Sequence, residues 1–301
     1  MNKNCLDLNQ SILERWAQAA ALLGVITPSD IKVKIVRSKD SSYKFGVILN
    51  EKRFNRPSDI NGNYCKLCRD VEKANEDVRL NLSNGTNLGD MIVIINKYPI
   101  FPGFSLAVPS PERVSYSTSD LSNLKKDLER LLPFSDETGL ELCHNQPGLG
   151  ATIPLHDHWH LTNFKKGFEI TNESYGFNAA EVCPTLNDPT VSYMPDFPFA
   201  HLIFNKKDTD KLLNFLQKLG EKYGNKYING KVPHDLSGGR HGFLVSIGRD
   251  YFDKSWSSSE FSGNIIAGNE NEFNRFSYED CVNGLKRYFL TKKEIELETL
   301  L

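Results

Sequence analysis

Long hydrophobic runs and a surplus of either charge are missing from this sequence. Its longest strongly apolar run, Met91 to Ile95, is far too short to span a bilayer, so no membrane partner is expected. The opening Met1-Asn-Lys-Asn-Cys5 leads into no apolar segment, so no secretory signal is expected and the cytoplasm is the expected location. Lys and Arg number 36 against 38 Asp and Glu, which leaves no basic field to make nucleic acid the main partner. Cysteine is sparse, six in 301 residues, which suggests reduced thiols rather than a disulfide framework. Hydrophobic residues at 39% and aromatics at 11% are enough for a folded globule. The length allows one large domain or two of ordinary size.

Histidine is also scarce, with seven in the chain, and three of the seven fall within five residues. They lie in Asn145-Gln-Pro-Gly-Leu-Gly-Ala-Thr-Ile-Pro-Leu-His-Asp-His-Trp-His160. An extended strand points alternate side chains to one face, so His156, His158 and His160 are expected to share a surface. Leu155, Asp157, Trp159 and Leu161 would take the opposite, packing face. Upstream, Pro147-Gly-Leu-Gly150 is a turn whose glycines let backbone N–H groups approach a ligand. A glycine turn followed by a strand of imidazoles suits chemistry on phosphate.

The rest of the chain reads as a mixed α+β fold. Residues 9–23 have helical spacing (Ile12, Trp16, Ala19, Leu23). Residues 32–37 and 43–49 read as strands of a hairpin, after which come Asn50, Arg53 and Arg56. Each of these three is by itself best read as a solvated loop residue; as a group they can contact a base or a phosphate. Residues 90–96 and 104–108 are strands around the turn Lys97 to Gly103. Thr118 or Ser119 caps a helix with Leu121, Leu124, Leu128 and Leu131 on one face, and Pro133 is expected to stop it. Residues 139–144 form a strand into the glycine turn. The second half reads as a strand at 201–204, a helix from Asp208 or Thr209, strands at 227–232 and 242–247 separated by Ser237 to His241, a strand at 261–267 and a helix at 277–289. Its order of elements echoes the first half, which suggests two related units, residues 1–183 and 199–301, joined through the proline-rich 184–198.

Cys65-Lys-Leu-Cys68 is a C-x2-C knuckle. Two readings stand side by side. One is a structural zinc completed by His144, His156 or a carboxylate; the other is a pair of free thiols, since no second knuckle exists.

The three histidines also admit more than one chemistry. In nucleophilic catalysis at phosphorus, an imidazole nitrogen attacks a phosphoanhydride and holds the nucleotidyl group until an acceptor resolves it. His158, with a histidine on each side, is the central candidate. His156 and His160 would bond phosphate oxygens, and Asn145, Gln146, Gly148, Gly150 and Thr152 would form the anion cradle. In a metal site the same three rings would be ligands, as in alternating-histidine oxygenases and metallohydrolases. A wet strand with no function is the plainest reading, and three histidines of seven in so short a stretch argue against it.

The histidine stretch resembles the signature of the histidine-triad superfamily. Gly150-Ala-Thr-Ile-Pro-Leu-His-Asp-His-Trp-His160 is similar to the Ala-Thr-Ile-x-His-Leu-His-Phe-Gln stretch of the GDP-L-galactose phosphorylases. Asn96-Lys-Tyr-Pro-Ile-Phe-Pro-Gly103 with Ser105-Leu-Ala-Val-Pro109 resembles that superfamily's Asn-Pro-Phe-Pro-Ile-x-Pro-x-His segment. Cys65-Lys-Leu-Cys68 resembles the Cys-x-Leu-Cys of galactose-1-phosphate uridylyltransferases. Phe261-Ser-Gly-Asn-Ile-Ile-Ala267 and Phe289-Leu-Thr-Lys-Lys-Glu294 resemble the phosphorylases' C-terminal end. The resemblance covers most of residues 45–295, weakly outside the histidines.

It implies two histidine-triad-like halves, each an antiparallel sheet with packed helices, of which only the first keeps the triad. It implies His158 as nucleophile, His156 and His160 in support, and Asn50, Arg53 and Asn96 to Phe101 near the nucleotide. The expected enzyme is a nucleotidyltransferase or phosphorylase of nucleotide sugars or dinucleoside polyphosphates, of the diadenosine tetraphosphate phosphorylase kind. Inorganic phosphate or a sugar phosphate would be its acceptor, and no cofactor is needed for the chemistry. Homodimers are common in that superfamily, though nothing in this sequence decides the oligomeric state. Two departures bear on the reading. His160 stands where the nearest phosphorylases carry Gln, as in hydrolases of the superfamily, which leaves the acceptor open between phosphate and water. Phe104 and Arg113 replace family histidines, Arg113 a zinc-binding one, which weakens the zinc reading.

Overall fold

The structure, a computed structural model, describes residues 14, 16–18, 20, 21, 31–40, 43–54, 88–96, 98–100, 103–109, 120–146, 156–162, 182–226, 232–239, 242–249 and 263–301. Two sheets carry the architecture. In the larger, nine strands lie in the spatial order β3 (Met91–Ile95), β4 (Ser105–Pro109), β6 (Trp159–Thr162), β5 (Glu141–Asn145), β10 (His234–Gly239), β11 (Gly242–Ile247), β9 (His201–Phe204), β8 (Ser192–Tyr193) and β7 (Cys183–Pro184). Every neighbouring pair in it is antiparallel. The smaller sheet is the expected hairpin, β1 (Lys32–Arg37) with β2 (Lys44–Leu49), to which β12 (Asn264–Ala267) adds in parallel. The fold class is α+β.

Alternation along the strands sends side chains into two cores, one on each face of the large sheet. On one face Val93, Ala107, Leu142, Trp159, Leu161, Leu236 and Val245 meet two helices, α1 (Ser122–Thr138) and α2 (Thr209–Tyr223). Leu124, Leu128, Leu131 and Phe134 of α1 and Leu212, Phe215, Leu216 and Leu219 of α2 are buried there. Each such side chain contributes roughly 2 kcal/mol of transfer free energy. On the other face Phe104, Cys143, Ile203 and Leu244 pack against Phe45, Val47 and Ile265 of the small sheet. Two short helices, α3 (Glu270–Arg275) and α4 (Tyr278–Leu285), close that core with Phe273, Cys281, Val282 and Leu285. The start of α4 is held by a reciprocal Ser277–Asp280 capping box. Residues 14, 16–18, 20 and 21 are helical, and the indole N–H of Trp16 donates to the Phe104 carbonyl at 3.3 Å. No helix among the described residues is long and apolar enough to cross a membrane.

The structure corrects three sequence-based expectations. Pro133 does not stop α1: the helix runs on to Thr138 and closes at Gly139, whose φ is 70°. Pro133 faces solvent, so water can reach the carbonyl that loses its donor, while buried Phe134 holds the next turn down. The hydroxyls of Ser135 and Thr138 donate to the carbonyls of Leu140 (2.6 Å) and Phe134 (2.7 Å) and finish the helix end. Second, α1 begins at Ser122, whose backbone N–H donates to the Asp120 carboxylate at 3.0 Å. Third, the strand paired with β11 is His234–Gly239, so Ser237 and Gly238 lie in the ladder rather than in a separating loop. Glycine is required at Gly242, where φ is 143° and a Cβ would stand 1.9 Å from the Phe204 carbonyl oxygen on β9. Residues 184–198, expected as a connection, contribute β8 and part of β7 to the sheet edge.

Two fully buried histidines bear on acid stability. Burial holds the imidazole of His201 down at about 3, although the Phe199 carbonyl, accepting from Nδ1–H at 2.8 Å, favours the charged ring. His234 is held at about 4 for the same reason, its Nδ1–H donating to Val232 at 3.0 Å. Both folded values lie below the ordinary imidazole value near 6.5, so on acidification the unfolded chain takes the proton first. Their contribution to stability is complete above pH 6.5 and is lost as the pH falls toward 4, by up to about 1.4 kcal/mol per pH unit for each ring. Urea denaturation at pH 7.5, 6 and 5 should therefore give a falling unfolding free energy. A flat profile would contradict the assignment.

Candidate active site

The histidines sit where three strands end. The pairing of β6 with β5 runs from Glu141–Thr162 to His144–Trp159, and its pairing with β4 runs from Ser105–Leu161 to Ala107–Trp159. The ladder stops at Trp159. The expected strand over 155–161 is thus a strand only from Trp159; His156 lies in a bend and His158 precedes the first paired residue. Alternation of polar and apolar side chains requires only an extended backbone, so it does not mark where pairing begins.

Side chains replace the missing ladder. His156 Nε2–H donates to the Pro109 carbonyl at the end of β4, at 3.2 Å. His158 Nδ1–H donates to the carbonyl of His156 at 2.9 Å. Asp157, between them, accepts from His144 Nε2–H of β5 at 2.7 Å. The segment 156–158 is therefore tied to both flanking strands. All three histidines of the stretch are buried, with 2%, 7% and 8% of their surface exposed for His156, His158 and His160.

These bonds define the nitrogens. Because a carbonyl can only accept, the proton of neutral His158 is on Nδ1 and the lone pair is on Nε2. The ring of His160 stands 5.1 Å from that of His158 at 73°. His160 Nε2 accepts from the Asn145 amide at 3.3 Å, and its ring packs on Phe104 at 5.3 Å. Burial is the chief reason His158 is held down at about 4, with the neighbouring His144 and His156 acting in the same direction. The His156 carbonyl and the Asp157 carboxylate oppose them. A ring that stays neutral well below pH 7 keeps its Nε2 lone pair available.

The other predicted residues divide. Asn145, the last residue of β5, is buried against His160, and Gln146, which follows it, is buried too. Asn50 and Asn96 are buried, and each helps hold the turn before β4: the Asn50 amide donates to Pro99 at 3.0 Å, and the Asn96 carboxamide oxygen accepts from Tyr98 N–H at 2.9 Å. The backbone of Arg53 lies in the single helical turn Glu51–Phe54. Phe101, Gly148, Gly150, Thr152, Cys65 and Cys68 lie outside the described residues, as do Arg240 and His241. Arg249 donates to the carbonyls of Lys286 and Phe289 and forms an ion pair with Glu294.

Sequence reasoning missed the partners behind the site. His144, considered as a zinc ligand, is paired in register with Trp159, stacks on that indole at 4.9 Å and is bonded to Asp157. The indole N–H of Trp159 donates to Asp127 of α1 at 2.9 Å. Thirteen residues separate His144 from Asp157, and only the β5–β6 register brings them together. Among the described residues no three His, Cys, Asp or Glu side chains converge as a metal-ligand set.

The titration of His158 can be read directly. Its ring ¹⁵N shifts should stay those of a neutral Nδ1–H imidazole from pH 8 down to pH 5, with protonation only near pH 4. A midpoint near 6.5 would show that the ring is neither buried nor held as described.

Comparison with known proteins gives fold without close sequence kinship. No protein-family model and no curated protein matches the sequence. Solved structures do match. The crystal structure of yeast Ap4A phosphorylase Apa2 aligns with a TM-score of 0.64 at 14% identity, covering 94% of each chain. The same protein in complex with Ap4A aligns at 0.62 and 15% identity, covering 95% of this chain and 98% of the other. Its complex with AMP aligns at 0.60 and 13% identity over 91% of each chain. The chain therefore has the fold of the yeast Ap4A phosphorylase, in keeping with two histidine-triad-like halves.

Proposed function

We propose that the protein is a nucleotidyltransferase that phosphorolyses a dinucleoside polyphosphate through a covalent nucleotidyl-His158. The observation that carries the reading is the buried His158 ring. Its Nδ1–H is committed to the His156 carbonyl, which leaves the lone pair on Nε2, and the ring lies 5.1 Å from that of His160, to which Asn145 donates. A fold shared with an Ap4A phosphorylase over nine-tenths of both chains supports it.

In the first step Nε2 attacks the α-phosphorus. A P–N bond forms, the bond from that phosphorus to the bridging oxygen breaks, and the remaining nucleoside polyphosphate leaves with the electron pair. The positive charge that develops on the ring is shared through Nδ1–H with the His156 carbonyl. In the second step an oxygen of inorganic phosphate attacks the same phosphorus, the P–N bond breaks, and a nucleoside diphosphate forms as His158 recovers its lone pair. His160, Asn145 and Gln146 border the non-bridging phosphoryl oxygens in this reading, and Asn50 and Asn96 shape the wall toward the nucleoside. Nucleoside diphosphate sugars, which the sequence resemblance also implies, would react by the same two steps with a sugar phosphate as the first leaving group. Phosphate is favoured over water as acceptor by the likeness to a phosphorylase.

The test is trapping. With an α-labelled dinucleoside tetraphosphate and no phosphate, the protein should acquire one label per chain, stable to alkali and lost in acid, mapped to His158. Adding phosphate should discharge it as nucleoside diphosphate; discharge only to monophosphate would make water the acceptor. His158→Gly should fold normally and lose at least roughly 10³-fold in turnover. Full turnover in that variant would remove the nucleophile. A parallel screen of nucleotide sugars, read by mass spectrometry, identifies the preferred substrate.

A further inference from the structure

Asp157 and His144 take no part in the two steps above, yet both side chains are completely buried, with a 2.7 Å bond between them. A carboxylate and an imidazole lose several kcal/mol of hydration each on burial, and an apolar pair of similar volume would pack there at little cost. Their location shows what the bond does. His144 pairs in register with Trp159, the last ladder residue of β6. Two residues earlier, beyond the end of the ladder, Asp157 reaches back across to His144 of β5. The carbonyl of His156, which orders the His158 ring, is in the peptide that joins His156 to Asp157.

We propose that Asp157 and His144 are positioning residues: their hydrogen bond, behind the sheet from His158, fixes the 156–158 backbone and thereby sets the tautomer and aim of the His158 ring. The proposal rests on the nucleotidyl-transfer reading for its kinetic consequence only. The bond prolongs the β5–β6 association two residues past the end of the ladder through side chains. Behind it the site is braced in series, His144 against the Trp159 indole at 4.9 Å and that indole to Asp127 of α1 at 2.9 Å. The negative charge on Asp157 also favours positive charge on His158, and so acts in the direction that nucleotidylation requires.

Both groups are completely buried, so the informative variant removes both. The double variant His144→Phe with Asp157→Leu removes both polar groups of the bond together. Asp157→Asn is the conservative control, since its amide oxygen can still accept from His144 Nε2–H. Each protein is compared with wild type by thermal unfolding, by the ¹⁵N ring shifts of His158, and by kcat and KM with a dinucleoside tetraphosphate and phosphate. The double variant should fold, show His158 exchanging between both tautomers, and lose about 10²-fold in kcat with KM nearly unchanged. Asp157→Asn should restore the single Nδ1–H tautomer and most of the kcat. If the double variant does not fold, Asp157→Ser takes its place with the same expectations. A folded variant without the bond that keeps the single tautomer and wild-type kcat overturns the proposal, as does an Asp157→Asn protein no better than the double variant. A tautomer change in a protein whose wild type turns over no dinucleotide or nucleotide sugar would sink the proposed function and leave the positioning role standing.

Discussion

The bond from His158 Nδ1–H to the carbonyl of His156 is the constraint on which the site depends. An imidazole has two nitrogens of similar basicity, and alone it exchanges its proton between them. Committing Nδ1 to a carbonyl leaves one lone pair in one direction. Burial then keeps the ring neutral, at the price of excluding water that would otherwise solvate it. Tautomer and protonation state are thus decided by backbone position and solvent exclusion, both properties of the fold around the ring.

That fold puts the segment at an edge between regular and irregular structure. Downstream of Trp159, β6 is held on both sides by ladder bonds and packs Trp159 and Leu161 into one core while His160 faces the other side with Phe104. Upstream, three side-chain bonds to Pro109, His156 and His144 do the holding. Catalytic groups commonly project from strand ends, where the backbone is free of the ladder but anchored by it. The large sheet supplies the anchorage: β5 joins β10 of the second half, so the strand behind the histidines lies in the interior of nine strands and is covered on both faces.

Much of this could be read from the residues. The β1–β2 hairpin, the apolar faces of α1 and α2, and the strands around 91–95, 105–109 and 201–204 follow from periodicity and turn residues, because those signals are local. The misreadings share a cause. Pro133 looked like a stop because local rules count the lost N–H, but not the core that Phe134 enters. Ser237-Gly-Gly looked like a loop because glycine weakens strands, but these residues pair in register with Leu244, Phe243 and Gly242 of β11. Asp157 was assigned correctly to the face opposite His158, and its partner stayed hidden because His144 lies in another strand.

The sequence alone determined that the rings of His158 and His160 would lie side by side, that Trp159 between them would enter the core, and that the chain would build a mixed α+β fold, since each of these depends on spacing within a few residues. Tertiary structure alone decided which histidine nitrogen keeps its lone pair, where the β6 ladder ends and which buried group meets Asp157. Those outcomes turn on strand register and on the depth of burial, and both arise from contacts between segments far apart in the chain.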